Sequence, residues 1–179
     1  MNPTKSEKAY HDRLCTEIGC IVCAVDYKSG IANMKRGYFE IGIYQGKTPA
    51  NLGTLWRSAF QLGAAGIFLI GSRFSKQASD TTSAYRHIPL RQYRDFDHFQ
   101  DSRPYDCMLV GVEIGGRKLS GYTHPERAIY LLGAEDYGLP KQVIEKCQSI
   151  ISLESINTQS YNVAVAGSLI MYHRQYGQS

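Results

Sequence analysis

Six short apolar runs follow one another along the chain after residue 37, and segments of helical composition separate most of them. The apolar runs cover residues 38–44, 65–71, 87–90, 106–113, 127–133 and 149–154. The helical segments cover residues 52–63, 74–84, 95–102, 140–148 and 161–173. Short strands that alternate with helices predict an α/β fold with a mostly parallel sheet and helices on both faces. The continuous apolar runs AGIFLIG and RAIYLLG agree with this fold, because its strands are buried on both sides.

The loops after these strands are the candidate functional site. Ligands of parallel α/β sheets bind beyond the carboxyl ends of the strands. The loops at that edge follow Tyr44, Gly71, Val112, Gly133 and Glu154. Three stretches near these strand ends carry polar side chains in patterns that suit ligand binding.

The first stretch runs from residue 46 to residue 64. Asn51 precedes a helical run and is predicted to be its N-cap, while Gly53 permits a tight turn or the close approach of a ligand. Arg57 lies about 60° outside the apolar stripe of that helix, at 100° per residue. Arg57 is therefore expected to point away from the core, either toward the strand ends or simply into solvent.

The second stretch, LLGAEDYGLP, joins a buried strand to the next helix. Gly133, Glu135 and Gly138 follow the strand, and Pro140 suits the start of a helix. Glycines in this position expose backbone amides and carbonyls to a ligand. The spacing is neither that of a Walker loop nor that of the dinucleotide fingerprint, and a plain turn is the alternative.

The third stretch opens the last helix. Ser160 is predicted to be the N-cap, and Asn162 lies in the first turn, where backbone amides are unpaired and the helix end is positive. Residues 163–171 are apolar on all sides, so the helix is expected to be buried. Its small residues would allow close packing against another backbone.

The bulk properties set broad limits on the class of protein. The chain has 179 residues with a net charge of +4, a mild excess that is compatible with a polyanionic partner. No apolar run is long enough to cross a membrane and none resembles a signal peptide, so a cytoplasmic location is expected. We predict two parts, an N-terminal extension (1–36, a short helix and a connection) and one domain (37–179).

The cysteines favour reduced thiols over a disulfide framework or a metal site. There are five, which is an odd number. Cys15, Cys20 and Cys23 could supply three metal ligands, but no second pair of Cys or His lies at zinc-site spacing. We therefore predict no metal.

Taken together, the three stretches resemble the motifs of the SpoU/TrmH family of RNA ribose methyltransferases, which is part of the SPOUT class. Asn51-Leu52-Gly53 followed by Arg57 matches the first motif, and Gly133 to Leu139 matches the second, Gly-x-Glu-x-x-Gly-Leu. Ser160-Tyr161-Asn162-Val163 is similar to the third, Ser-Leu-Asn-Val. The resemblance covers about residues 38 to 176. It implies a SPOUT fold with a C-terminal trefoil knot, and a homodimer.

The resemblance also implies a cofactor, a substrate and roles for individual residues. The cofactor would be S-adenosylmethionine, and the substrate would be a ribose 2′-hydroxyl of tRNA or rRNA. The implied catalytic residues are Arg57, Asn51, Glu135 and Asn162. The implied cofactor-binding residues are Gly111, Gly133, Leu139, Leu153, Ser160 and Tyr161. Basic residues near the pocket are candidates for RNA binding, namely Arg73, Lys76, Arg86 and Arg91.

The sequence departs from the family pattern at two points. Ile151-Ser152-Leu153 stands where the family usually has Ile-Pro-Met, and Tyr161 replaces a leucine. Two alternative functions stay open. One is an RNA-binding protein of the same fold that lacks catalysis, and the other is an enzyme that methylates a base.

Overall fold

A six-stranded, fully parallel sheet forms the centre of the computed structural model, which describes residues 37–72, 86–157 and 160–177. The order of the strands across the sheet is β3-β2-β1-β5-β4-β6. Their bounds are Tyr38–Tyr44 (β1), Gly66–Ile70 (β2), Leu90–Tyr93 (β3), Met108–Lys118 (β4), Arg127–Leu132 (β5) and Ser149–Ser152 (β6). The predicted α/β fold with a parallel sheet is confirmed.

Helices cover both faces of the sheet and create two apolar cores. Their bounds are Pro49–Gln61 (α1), Phe96–Ser102 (α2), Lys141–Ile144 (α3) and Val163–Tyr176 (α4). Alternate residues of β1 and β5 point to opposite faces, because side chains alternate along a strand. Phe39 and Tyr130 belong to the core that includes α1 and α4, whereas Ile129 and Leu131 belong to the core that includes α2 and α3.

Two predicted elements differ from the observed ones. The strand predicted at residues 87–90 begins only at Leu90, because Pro89 has no N–H group for the ladder. Pro89 contributes instead through its carbonyl, which accepts from Ile67 N at 3.0 Å. The helix predicted for residues 140–148 is the single turn α3, which starts after Pro140 as expected. The helix predicted for residues 74–84 and the cysteines 15, 20 and 23 lie outside the described residues.

Strand β4 is longer than predicted because it is interrupted by a bulge and then resumes. Val112 pairs with Ile151, and Arg117 pairs with the same residue of β6 after the bulge. Gly115, in the bulge, has a φ of 85°, which glycine adopts more easily than any other residue. The bulge projects residues 113–116 beyond the sheet edge at which the candidate loops lie.

A buried arginine fixes the carboxyl-terminal half of α4. Arg174 donates to the carbonyl oxygens of Pro125 at 2.6 Å and Glu126 at 2.7 Å, and to the phenol oxygen of Tyr130 at 3.1 Å. Burial raises the pKa of Tyr130 to about 12, so the phenol stays neutral. These bonds hold α4 in place and thereby fix the position of its first turn.

Two absences hold for the part of the chain that the structure describes. No helix within it is both long and apolar enough to span a membrane. No group of three or more His, Cys, Asp or Glu side chains within it is arranged to hold a metal ion. The domain boundary near residue 36 and the trefoil knot remain predictions.

Candidate functional site

A cleft of about 760 Å³ lies at the carboxyl edge of the sheet, where β4, β5 and β6 end. Its walls come from four segments that are distant in sequence. They are the β4 bulge (112–115), the loop after β5 (132–138), the segment after β6 (152–155) and the start of α4 (160–166). Two of the three predicted loops therefore line one cavity directly, and the cavity lies at the predicted edge of the sheet.

A chain of hydrogen bonds joins all three motifs beside this cleft. Asn51 Nδ2 donates to Glu135 Oε1 at 2.8 Å, and Asn162 Nδ2 donates to Asn51 Oδ1 at 3.0 Å. Asn162 Oδ1 accepts from the backbone N–H groups of Ala164 at 2.9 Å and Val165 at 3.4 Å. Because Asn162 uses its oxygen at the helix, its amide nitrogen must face Asn51, and this orients both amides.

These bonds correct both predicted helix caps. The N-cap of α1 is Thr48, so Asn51 and Gly53 lie inside the helix, and Gly53 forms no turn. The N-cap of α4 is Asn162 and not Ser160. The physical reasons differ. At the start of α1 the backbone N–H groups of Lys47 and Thr48 donate to Glu135, whereas at α4 the side chain of Asn162 itself accepts from the first-turn N–H groups. Asn51 is thereby free of a capping role and bridges the two other motifs.

Glu135 is the acceptor on which the first loop closes. In addition to Asn51, the backbone N–H groups of Lys47 and Thr48 donate to its carboxylate, at 3.2 and 3.4 Å. Desolvation raises the pKa of Glu135, but the hydrogen bonds from Asn51, Lys47 and Thr48 outweigh it, and the pKa lies below its ordinary value. The carboxylate therefore stays ionised to a lower pH than a free glutamate does, and the stability that these bonds contribute is lost as pH falls through the lowered pKa.

The loop after β5 is a tight turn whose backbone leaves no room for larger residues. Ala134 and Gly138 pair as an antiparallel bridge, and a Cβ on Gly133 would lie 2.3 Å from the carbonyl carbon of Gly138. Gly138 has a φ of 64°, which favours glycine. Glu113 of the β4 bulge supports the turn from the other side, since its Oε2 accepts from Leu139 N at 2.7 Å.

The two departures from the family pattern each make a contact that the usual residue could not make. The hydroxyl of Ser152 donates to the carbonyl oxygen of Gly116 at 3.0 Å, which ties β6 to the β4 bulge. The hydroxyl of Tyr161 donates to the carbonyl oxygen of Glu154 at 2.9 Å, which closes the loop between β6 and α4. Proline and leucine have no donor for either bond.

The residues predicted to bind the cofactor divide into two groups. Gly133, Leu153, Ser160 and Tyr161 line the cleft. Gly111 and Leu139 are buried and do not line it. A Cβ on Gly111 would lie 2.7 Å from Ile150 Cδ1 and 3.0 Å from Cys147 Sγ, so tight packing within the fold already explains this glycine.

Arg57, Arg86 and Arg91 lie outside the lining of the cleft. Arg57 is exposed on α1, and Arg86 is exposed before β3. Arg91 lies on β3, at the opposite side of the sheet from β6, where its guanidinium pairs with the buried Glu40. Arg73 and Lys76 fall outside the described residues. The roles predicted for these five residues remain predictions.

Sequence reasoning missed several residues of the cleft. Glu113, Gly115, Asp136 and Tyr137 line it, although none was assigned a role. The Gly-Gly pair that follows the apolar run of β4 was a signal of a bulge, because such glycines permit a local break in a ladder. Tyr137 gave no signal of this kind.

The parallel α/β sheet and the three motifs that meet beside a cleft at its carboxyl edge agree with the SPOUT class of methyltransferase folds that the motifs imply. The model of the SpoU rRNA Methylase family matches residues 39–172. The chain belongs to this family.

Known proteins resemble the chain over most of its length. A tRNA (guanosine(18)-2'-O)-methyltransferase of Mus musculus, TARBP1, is 29% identical over 69% of this chain and 8% of its own length. The TrmH-family protein YacO of Bacillus subtilis is 27% identical over 82% of this chain and 61% of its own length. The chain thus spans less than two thirds of either curated relative.

A solved structure shares the fold. The SpoU methyltransferase AviRb of Streptomyces viridochromogenes, in complex with AdoMet, has a TM-score of 0.69 and 21% identity. The likeness covers 78% of this chain and 57% of that one.

Proposed function

We propose that the chain is an S-adenosylmethionine-dependent RNA methyltransferase that acts on a ribose 2′-hydroxyl of tRNA or rRNA. One observation carries the proposal: Glu135, Asn51 and Asn162, one from each motif, form a continuous hydrogen-bonded chain beside the cleft. Membership of the SpoU family and the activity for which the mouse relative is named support it.

The cleft has the size and charge that the cofactor requires. Its volume of about 760 Å³ lies within the range of about 300–1,000 Å³ typical of small-molecule sites. Glu113, Glu135 and Asp136 line it, and no Lys or Arg of the described residues does. S-adenosylmethionine carries a sulfonium, an ammonium and one carboxylate, so an acidic cleft favours it. The same charge should favour the donor over the uncharged thioether product.

Within this proposal the protein mainly positions and desolvates the reactants. The cofactor supplies a methyl group bonded to a good leaving group, so the chain needs little covalent chemistry of its own. Gly133 and the backbone around Leu153 and Tyr161 would hold it. Glu135 and Asn51 would orient the ribose, and Arg57 would hold the adjacent phosphate, because its planar guanidinium suits phosphate and is a poor base.

The direct test is transfer of labelled methyl from S-adenosylmethionine to total tRNA and rRNA. The modified RNA is then hydrolysed in alkali, because a methylated 2′-oxygen blocks cleavage at that linkage. Resistant dinucleotides support the proposal. Label that alkali releases in single nucleotides would indicate base methylation. A calorimetric titration that gives no heat with S-adenosylmethionine, together with no transfer, would indicate an RNA-binding protein without catalysis.

The variant Arg57→Ala tests the proposed role of Arg57 in methyl transfer, for which the lining of the cleft gives no evidence. We expect the dissociation constant for S-adenosylmethionine to stay within about twofold, because Arg57 is outside the lining, and methyl transfer to fall by about 100-fold or more. Arg57→Lys, which keeps the charge but not the fork, should retain part of the activity. Full activity of Arg57→Ala would show that the arginine has no part in the reaction.

We also propose a homodimer that uses the exposed side of α4. Val165, Leu169, Tyr172 and Tyr176 are 40–64% exposed and lie on one side of the helix, at spacings of four, three and four residues. One of the small residues of α4 allows close packing within the chain, against α1, and is not part of this exposed side. Gly167 packs inside the chain, where a Cβ would meet Leu55 Cδ1 at 2.4 Å.

A further inference from the structure

The loop that carries Glu135 also presents an aromatic ring to solvent at the rim of the cleft. Tyr137 is one of the residues that line the cleft, and it is 85% exposed. Tyr161, the other tyrosine of the cleft, is 41% exposed and uses its hydroxyl to close the preceding loop. A tyrosine ring at the mouth of a ligand site offers an aromatic face to a partner that arrives from outside.

The ring stands on a rigid support. The Ala134–Gly138 bridge closes the base of the turn, with N···O distances of 3.2 and 3.0 Å. Glu135 is bonded to the loop before α1, and Asp136 pairs with Lys47 of the same loop. Two of the three residues between Ala134 and Gly138 are therefore anchored to the β1–α1 loop, and the third presents the ring. The backbone beneath the ring loses little entropy when a partner packs on it.

A cation close to the Tyr137 ring favours a flat, electron-rich partner. Lys47 Nζ lies 5.3 Å from the centroid of the Tyr137 ring, within cation–π range, and also pairs with Asp136. RNA-modifying proteins commonly bind unpaired bases by stacking them on aromatic side chains. A nucleotide whose ribose enters this cleft must leave its base near the mouth.

We propose that Tyr137 is a stacking platform for an unpaired nucleobase, either of the target nucleotide or of its neighbour. This inference rests on the proposed function, since it requires RNA at the cleft. It does not assign the ring to the adenine of the cofactor. A ring that covered a cofactor held inside the cleft would be shielded by the cavity walls, and this one is 85% exposed.

The test compares an oligouridylate with an oligomer of the same length in which the bases are missing. Fluorescence anisotropy gives the affinity of each probe for the wild type and for Tyr137→Ala. We expect base removal to weaken binding to the wild type by about 5- to 150-fold, which corresponds to one stacked base, and to change binding to Tyr137→Ala much less. Tyr137→Phe should behave as the wild type does, because the ring remains.

Two controls separate this proposal from its alternatives. Tyr105 is fully exposed and lies outside the cleft lining, so Tyr105→Ala should bind both probes as the wild type does. Because Tyr137 lies at the rim of the cleft, the dissociation constant for S-adenosylmethionine, measured by calorimetry, should change much less in Tyr137→Ala than the affinity for the oligouridylate does. A variant whose cofactor binding weakens at least as much as its RNA binding would assign the ring to the adenine and overturn the platform.

The failure of the platform differs from the failure of the proposed function. Suppose that the wild type binds RNA and S-adenosylmethionine, and that removal of the bases weakens RNA binding by Tyr137→Ala as much as by the wild type. The stacking platform is then wrong, and the proposed function stands. If the wild type binds neither RNA nor S-adenosylmethionine, both are wrong.

Discussion

Each atom of the Asn51 and Asn162 amides has an assigned partner, and the assignments depend on one another. If Asn51 rotated its amide by half a turn, its oxygen would face the Glu135 carboxylate and its nitrogen would face the nitrogen of Asn162. Both contacts would become repulsive. The three motifs are therefore connected in one orientation only, and an exchange of a single nitrogen for oxygen is enough to disturb them.

The variant Asn162→Asp tests the hydrogen bond from Asn162 to Asn51 separately from the capping role of Asn162. Aspartate still accepts from the N–H groups of Ala164 and Val165, so we expect nearly unchanged stability to denaturant. It cannot donate to Asn51, so methyl transfer should fall by about 10- to 100-fold through misalignment. Asn162→Ala should lose both functions and cost about 0.5–2 kcal/mol of stability. Wild-type activity in Asn162→Asp would mean that the connection does not align the site.

Arg91 should matter to stability whether or not it binds RNA. Glu40 is 1% exposed, and Arg91→Ala leaves its charge buried without the guanidinium. We expect a loss of about 1–3 kcal/mol in the free energy of unfolding, which Glu40→Gln should partly restore in the double variant. Arg94 is the matched control, because its partner Asp95 is on the surface and Arg94→Ala should change stability little. Equal losses for both arginines would contradict a structural role for Arg91.

At the scale of elements, the spacing of apolar residues correctly predicted which side of α1 is buried. It was wrong where contacts between residues far apart in the chain determine exposure. The stripe on α1 holds for Leu52, Leu55, Trp56 and Ala59, which are buried at spacings of three, one and three. Phe60, expected in the same stripe, is 41% exposed and stacks on His87. The predicted start of α1 was wrong because Glu135, which holds Lys47 and Thr48 at that start, lies far away in the chain. The predicted cap of α4 was wrong by two residues, since Asn162 and not Ser160 supplies the local cap.

Replacement of glycine by alanine should have opposite effects on stability at two positions in the described helices. Gly167 lies in α4 between Leu55, Leu132 and Ile41, and Gly167→Ala should cost about 1–3 kcal/mol through overpacking. Gly53 lies in α1, where an added Cβ would have no other atom within 4 Å, so Gly53→Ala should add about 0.5–1 kcal/mol of stability. Thermal or denaturant unfolding measures both. A stabilised Gly53→Ala variant with lost methyl transfer would indicate that a ligand approaches α1 at this glycine.

At the scale of the whole molecule, the sheet, the edge that carries the site and the family could all be predicted from the sequence. The order of the strands could not, because it depends on pairing between residues far apart in the chain. The Gly115-Gly116 pair signals the β4 bulge but not which loop the bulge contacts. Glu113 is an example of a residue whose role could not be predicted from the sequence. Its role depends on Leu139, which is 26 residues away and belongs to another strand–helix connection.

Leu169→Glu tests the proposed dimer at this scale. A charge in the middle of the exposed side of α4 should oppose burial of that side against a second copy, so light scattering should give the mass of one chain for the variant and of two for the wild type. Tyr105→Glu, on a fully exposed tyrosine elsewhere, should leave the mass unchanged. A wild type with the mass of one chain would contradict the proposed dimer.

The bonds between Glu135, Asn51 and Asn162 span 84 and 111 residues of sequence. When the first five strands have left the ribosome, most of the sheet can form, but the hydrogen bonds that join the three motifs cannot. The last helix must dock before the three loops can meet. Gain of cofactor affinity during refolding should therefore report the final step of folding, and it should lag behind the burial of Tyr93, which packs in the core that contains no residue of α4.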